Sequence, residues 1–418
     1  MKSLDVKYNS IKNYIETFFK WIILAGITGF TGGITGTLFH LSVDKATEFR
    51  LINDWIIWFL PLGGVAIAIL YKLFKINDSA GTNQIIDSIR TNGNVPIRLT
   101  PLIFISTVIT HLFGGSAGRE GAALQLGGSI GSFTGKIFHL DEKDMHLIVL
   151  CGMSSVFSAL FGTPLTATIF SMEVISVGVI YYSSLVPCLF SSLIAYKVSA
   201  YLGIEPIHYT LNFIPETSFR AMALTTILAA MCAGLSILFC IAIHKTEYFM
   251  KHKIKNNYLR GFLGGLVIVI LTFSLDTRDY NGAGMNIIGN AINGTTKPDA
   301  FLLKIVFTAI TIGAGFKGGE IIPTFFIGST FGCLIGGLLG MDPGFSAAVG
   351  LISLFCGVVN CPVASIILSI ELFGSKGILL FAISCSVSYV LSGYYSIYSS
   401  QKIMYSKIKA EFININTK

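Results

Sequence analysis

Two glycine-flanked charged clusters, Gly118-Arg119-Glu120-Gly121 and Gly315-Phe316-Lys317-Gly318-Gly319-Glu320, interrupt long apolar sequence. A charge at membrane depth is costly, so it faces a pathway or a polar cavity rather than lipid. Glycine beside it ends helices and frees backbone N–H groups, and such helix ends attract anions. The chain is therefore confined to broken helices around a buried polar site, and that site's chemistry points to anion transport. Composition agrees: 53% of the 418 residues are hydrophobic and only 12% are charged, too few to cover a soluble surface. Apolar stretches from Trp21 to Val43, Leu51 to Leu73, Ala221 to Ile243 and Phe262 to Leu275 approach the ~20 residues that span a bilayer. Others are shorter or rich in glycine, as buried, tilted or discontinuous helices are. The first twenty residues are polar and mixed in charge, so no cleavable signal peptide is evident.

The same composition excludes other classes. The net charge of +7 sits largely in tails and loops, where lysine orients a membrane chain, and does not indicate nucleic acid. Eight cysteines lie in apolar segments without CxxC or Cys/His spacing and read as buried free thiols. An enzyme or receptor reading lacks a metal cluster, a Walker-type loop and a nucleophile beside a base. No cofactor is implied.

The chain repeats itself. The segment Phe161 to Glu173 aligns with Val359 to Glu371, matching Pro164 with Pro362 and Glu173 with Glu371. The charged clusters align as well: Gly118 with Gly319, Gly127 with Gly328, Gly131 with Gly332. Both tails are lysine-bearing (Lys2, Lys7, Lys12, Lys20; Lys402, Lys407, Lys409, Lys418), whereas Gly203 to Ser218 has no Lys or Arg. Cytoplasmic segments carry the excess of Lys and Arg, so both ends are expected inside and the middle outside. Residues 1–203 and 219–401 are thus expected to form an inverted-topology pair, with 204–218 an extracellular linker and the site near the midplane. The stretch Lys245, Lys251, Lys253, Lys255 and Arg260 reads as a solvated orienting loop. Residues 402–418 read as a short cytoplasmic tail, too short for a regulatory domain.

With these motifs assembled, the chain resembles the CLC family of anion channels and proton-coupled anion exchangers. Gly118-Arg119-Glu120-Gly121, Phe161 to Glu173, Gly318-Gly319-Glu320 with Pro323, and the late Tyr398 carry the resemblance over nearly the whole membrane region. Gly315 to Gly328, Phe161-Gly162-Thr163-Pro164 and Ile397-Tyr398-Ser399-Ser400-Gln401 are most similar to the bacterial fluoride-exporting branch. The resemblance implies an all-α polytopic CLC fold in the bacterial inner membrane and a homodimer with one pathway per subunit. It also implies that Glu120 is a gate occupying an anion's place and carrying a proton, with Glu320 in the transport cycle. The residue chemistry leaves a simpler alternative for each, Glu120 as a capping carboxylate paired with Arg119 and Glu320 paired with Lys317. Tyr398 is an anion donor by resemblance, or else an interfacial aromatic among Tyr394 and Tyr395. Glu173 and Glu371 read as structural, held by backbone amides or helix ends, and His111 as a hydrogen-bonded core histidine.

Anion choice rests on departures from the family pattern. Val174 stands where chloride–proton exchangers carry an inner proton glutamate, and Ser79 to Ile86 replaces their Gly-Ser-Gly-Ile-Pro. Gly81-x-Asn83-x-Ile85 is closer to the fluoride branch, with Thr82 or Ala80 at the serine position. Against fluoride, Ile322 and Ala122 stand where that branch commonly has threonines. The expected anion ligands are Gly81, Thr82, Asn83, Gly118, Arg119, Gly121, Ile321, Ile322 and Tyr398. Fluoride export against protons is the leading expectation; a CLC-type chloride channel or weakly coupled chloride transporter is the alternative.

Overall fold

The computed structural model describes residues 2–76, 81–91 and 95–418, with the backbone alone for residues 2–10. Its helices fall into two sets of eight. The first set is α1 (Lys2–Ile52), α2 (Leu60–Leu73), α3 (Thr82–Thr91), α4 (Leu99–Phe113), α5 (Glu120–Ile137), α6 (Glu142–Phe161), α7 (Pro164–Glu173) and α8 (Leu185–Tyr201). The second is α9 (Phe219–Lys253), α10 (Asn257–Ser274), α11 (Met285–Ile292), α12 (Ala300–Gly313), α13 (Ile321–Leu338), α14 (Pro343–Val359), α15 (Pro362–Phe373) and α16 (Ile378–Leu391). Among the described residues, seven helical segments are long and apolar enough to cross a membrane; the remaining apolar helices are shorter. The chain is a polytopic membrane protein of broken helices.

The duplication is written in local signals. Asp141 and Asp342 cap the starts of α6 and α14, accepting from Asp144 N (2.8 Å) and Phe345 N (2.8 Å). The same two helices end on left-handed residues, Gly162 (φ 68°) and Asn360 (φ 57°), the residue types that tolerate that conformation. Pro164 and Pro362 then open α7 and α15 at positions where no N–H is needed. Packing repeats too: α5 lies on α6 as α13 lies on α14, and α1 on α8 as α9 on α16. Close approach is possible because the contacts are glycine. A Cβ on Gly127 would stand 2.2 Å from the Gly152 carbonyl, and one on Gly328 2.5 Å from that of Gly350.

The halves meet reciprocally, as a two-fold relation demands. Glu173 at the end of α7 accepts from Val363 N (3.2 Å) and Ala364 N (2.9 Å) at the start of α15. Glu371 in α15 accepts in turn from Leu165 N (2.9 Å) and Thr166 N (2.8 Å) of α7. The expected structural role of both glutamates therefore has its partners. Gly64 of α2 and Gly261 of α10 likewise meet backbone to backbone. Between α8 and α9 the chain runs without helix or strand, donating to Phe161 O (3.2 Å) and Leu372 O (2.9 Å).

Two expectations change. The span expected at Leu51–Leu73 starts later and is not α-helical throughout: α1 stops at Ile52, Asn53 bonds back to Phe49 O (2.9 Å), and the membrane-long segment Asp54–Leu73 opens with a 3-10 turn over Asp54–Phe59 before α2. Residues 402–418 are not merely a polar tail. They form a hairpin, β2 (Lys402–Tyr405) and β3 (Phe412–Asn416), added to the short β1 (Ser176–Val177). β1 pairs parallel to β2 and β2 antiparallel to β3, in register Ile403 to Ile415. All eight cysteines are buried and free, as expected.

If Glu173 and Glu371 serve the fold, Glu173→Gln and Glu371→Gln should each cost about 1–3 kcal/mol, the range for a disrupted buried hydrogen-bonded group. Thermal denaturation in detergent should show the loss, with anion preference unchanged in the surviving protein.

Candidate functional site

The two charged clusters cross each other. Gly118 N donates to Gly319 O and Gly319 N to Gly118 O, each at 2.7 Å, forming an isolated antiparallel bridge between the halves. Neither strand tolerates a side chain there. A Cβ on Gly118 would lie 2.3 Å from Glu120 Oε2, and one on Gly319 would lie 2.4 Å from Gly121 N. His111 Nε2 lies 3.2 Å from the Gly118 carbonyl, which requires the proton on that nitrogen. It is a buried, hydrogen-bonded histidine, as expected.

The crossing brings the first turns of α5 and α13 together around one carboxylate. Glu120 is fully buried, and its Oε2 accepts from Arg119 N (3.0 Å) and Ile322 N (3.2 Å). Its Oε1 has no partner among the described residues. Arg119 is turned away from it: the guanidinium bonds Asp44 Oδ1 (2.7 Å), whose other oxygen meets His40 Nε2 (2.8 Å). The simpler expectation of an Arg119–Glu120 side-chain pair is thus corrected, because Asp44 of α1 takes the guanidinium.

Two cavities reach residues next to this carboxylate and share no lining residue. One of about 110 Å³ is lined by Gly81, Thr82, Asn83, Gln125, Glu320 and Tyr398, among others. The other, about 260 Å³, is lined by Asp44, Arg50, His111, Arg119, Asn281 and Ile322, among others. Glu320 lines the first and Ile322 the second, although they are only two positions apart in the chain. Gly118, Gly121 and Ile321 are buried and line neither cavity.

The polar groups of the first cavity differ in what they can offer. Thr82 Oγ1 is 3.2 Å from the Gly121 carbonyl and donates to it, so that proton is already committed; Ala80 lies outside the described residues. Asn83 uses its carbonyl on Ser400 N (3.0 Å). Tyr398 is 1% exposed, and its hydroxyl has no partner among the described residues, which places it in the interior rather than in an interfacial belt. Lys317 Nζ stands 4.4 Å from the ring of Tyr71. Of the basic stretch expected as a loop, Lys245, Lys251 and Lys253 belong to α9 and Arg260 to α10, with only Lys255 between the helices; Lys251 and Arg260 line this same cavity.

Sequence reasoning missed Gln125, Asp44, His40 and Arg50. Gln125 Nε2 donates to Gly121 O (3.2 Å) while its Oε1 is buried without a partner among the described residues. Arg50 donates to His111 O (2.6 Å). The local signals were slight: His40 and Asp44 are four apart on one helix face, and Gln125 falls four after Gly121.

Residues 63–393 match the protein family described as "Voltage gated chloride channel". The chain belongs to that family. Among CLC relatives, a "Chloride/fluoride channel protein" of Pseudomonas syringae pv. tomato (strain ATCC BAA-871 / DC3000) is 38% identical over 397 residues, covering 93% of this chain and 87% of that protein. The crystal structure of a CLC-type fluoride/proton antiporter superposes with a TM-score of 0.89 at 31% identity, covering 92% of this chain and 98% of the other. A slow cyanobacterial Cl⁻/H⁺ antiporter shares the CLC fold, with a TM-score of 0.76 at 22% identity over 89% and 94% of the two chains.

Gly118→Ala tests the seat of Glu120 in this CLC chain. The added methyl should displace Oε2 from the Ile322 amide, an overpacking effect of about 1–3 kcal/mol. Anion flux through reconstituted protein should change by about tenfold, and an anion flux equal to the parent's would refute the tight seat.

Proposed function

We propose that the chain exports fluoride in exchange for protons, with Glu120 as the gate that also carries the proton. One observation carries the reading: a fully buried carboxylate sits on amides from the first turns of two helices, beside two cavities, with no cation bonded to it among the described residues. Helix N-termini stabilise negative charge, so the seat suits a carboxylate or a small anion alternately. Protonation removes the attraction and frees the side chain, and the vacated amides receive the anion. The 31% identity to the fluoride/proton antiporter supports fluoride as the cargo.

In this reading residues 1–203 and 219–401 are inverted repeats, 204–218 is extracellular and 402–418 lies in the cytoplasm. The Tyr398 cavity then opens inward in a bacterial plasma membrane, and the Arg119 cavity opens outward. Gly81, Thr82, Asn83 and Tyr398 form the inner approach, and Gly118, Gly121, Ile321 and Ile322 surround the seat. Arg119 draws anions to the outer side, and Glu320 takes part in proton movement from the inner cavity. Two such chains form a homodimer, each with its own pathway.

A chloride channel or weakly coupled chloride transporter is the second reading. Val174 favours it: a buried aliphatic side chain stands where the inner proton glutamate of chloride exchangers is expected. The name of the Pseudomonas relative includes both anions and the word channel.

Proteoliposomes loaded with fluoride or chloride separate the readings when anion efflux and proton uptake are recorded together. Fluoride efflux with matched proton uptake is expected, and Glu120→Ala should reduce coupled proton uptake by at least about tenfold, the scale of losing an essential proton carrier. Chloride efflux without proton movement would instead establish the second reading.

A further inference from the structure

Tyr398 lies seven residues beyond α16, in a stretch with no helical ladder to hold it. Its hydroxyl nevertheless has to keep a fixed depth in the cavity if it is to meet an anion. The backbone around it is tied on several sides. Ile397 N donates to Val358 O (3.1 Å), His244 Nε2 meets Ser396 O (2.7 Å), and Ser400 N donates to Asn83 Oδ1 (3.0 Å). These ties come from the membrane helices and fix the flanks.

The ties on Tyr398 itself come partly from the hairpin. Thr417 Oγ1 donates to Tyr398 O at 2.7 Å and lies 3.2 Å from Gln401 O, while Thr417 N donates to Gln401 O at 3.1 Å. Lys418 N donates to Tyr394 O (2.8 Å), and Ser396 N to Lys418 O (3.3 Å). Thr417 is 8% exposed although the strand before it is largely open, so the chain turns inward at the residue that reaches Tyr398.

The hairpin is anchored at its far end. Lys407 Nζ donates to Asn360 Oδ1 (2.5 Å), Tyr389 O (2.8 Å) and Ser392 Oγ (3.1 Å), and stands 4.4 Å from the Tyr389 ring. Burial pushes its pKa down to about 8, so the ammonium still carries its protons at neutral pH. Gln401 secures the near end, donating to Val174 O (2.9 Å) and Val359 O (2.8 Å) and accepting from Asn360 Nδ2 (3.1 Å). One strand end therefore joins both repeats and closes over the Tyr398 backbone.

We infer that residues 402–418 form a clamp that sets the depth of the Tyr398 hydroxyl in the anion path, with Thr417 as the positioning residue. The inference rests on the proposed role of Tyr398 as an anion donor. The clamp touches no anion; it acts through the carbonyl of Tyr398.

The test measures the fluoride dependence of initial efflux from proteoliposomes for Thr417→Val, Thr417→Ser, Tyr398→Phe and the Thr417→Val/Tyr398→Phe double variant. Loss of one buried hydrogen bond is worth about three- to tenfold in affinity. Thr417→Val should raise the KM for fluoride by that factor with kcat changed less than about twofold. Thr417→Ser, which keeps the hydroxyl, should restore it. In the Tyr398→Phe background Thr417→Val should add nothing further. A parental KM in monodisperse Thr417→Val protein overturns the clamp, as does an undiminished effect in the double variant. Should Thr417→Val not yield monodisperse protein, Lys407→Met, which releases the far end, carries the same two outcomes. A parental KM in Tyr398→Phe would overturn the anion-donor role itself, and that single variant distinguishes the two failures.

Discussion

Two backbones meeting with no side chain between them set the geometry of the site. The mutual 2.7 Å bonds of Gly118 and Gly319 bring the start of α5 and the start of α13 within reach of a single carboxylate. Separate the strands by the width of a methyl group and Ile322 N no longer meets Glu120 Oε2. A buried carboxylate without such donors carries a desolvation cost of several kcal/mol. The glycines are thus a condition for Glu120 being where it is, and His111 stiffens the same carbonyl from behind.

The two-fold relation explains how a symmetric frame produces a one-sided site. With Gly118 matched to Gly319, Glu120 matches Ile321, and each opens its helix. One half supplies the carboxylate; the other supplies an amide to hold it. The same frame elsewhere stays symmetric: Glu173 and Glu371 each cap the other half's helix. The match is broken at Arg119, Glu120 and Glu320, the residues to which the proposed function gives its chemistry, while the matched glutamates join the halves.

Much of this was legible in the sequence because it is local. Caps, left-handed helix ends and helix-opening prolines announce themselves within a few residues, and the repeat makes each signal appear twice. The candidate residues Arg119, Glu120 and Glu320 stand out because a charge among glycines has few explanations in an apolar chain. What was not legible depends on partners far away in the chain. Arg119 bonds Asp44, which lies 75 residues earlier, and no local pattern reports that. The break at Asn53 follows a long apolar helix with only a polar residue to mark it. The alternation of Ile413, Asn414, Ile415 and Asn416 has the period of a strand, but residues 402–418 read as tail because the β1 strand that β2 joins is only two residues long and lies far back in the chain.

The Arg119–Asp44 pair bears on whether Glu120 can move at all. Hydrogen bonds from two amides to a charged carboxylate are worth about 3–6 kcal/mol together, and protonation forfeits most of that. A guanidinium bonded to the same carboxylate would add a further charged contact and favour the ionised form, so that neutralising it near physiological pH would become harder. With the Arg119 guanidinium bonded to Asp44 at 2.7 Å, the hydrogen bonds that Glu120 accepts come from amides, and its Oε1 has no partner among the described residues. The proposed gate needs a carboxylate bound firmly enough to fill the seat while charged and loosely enough to leave when protonated, and amide donors without a bonded guanidinium suit both demands. Asp44, silent in the sequence, is therefore as much a part of the proposed gate as the glutamate itself.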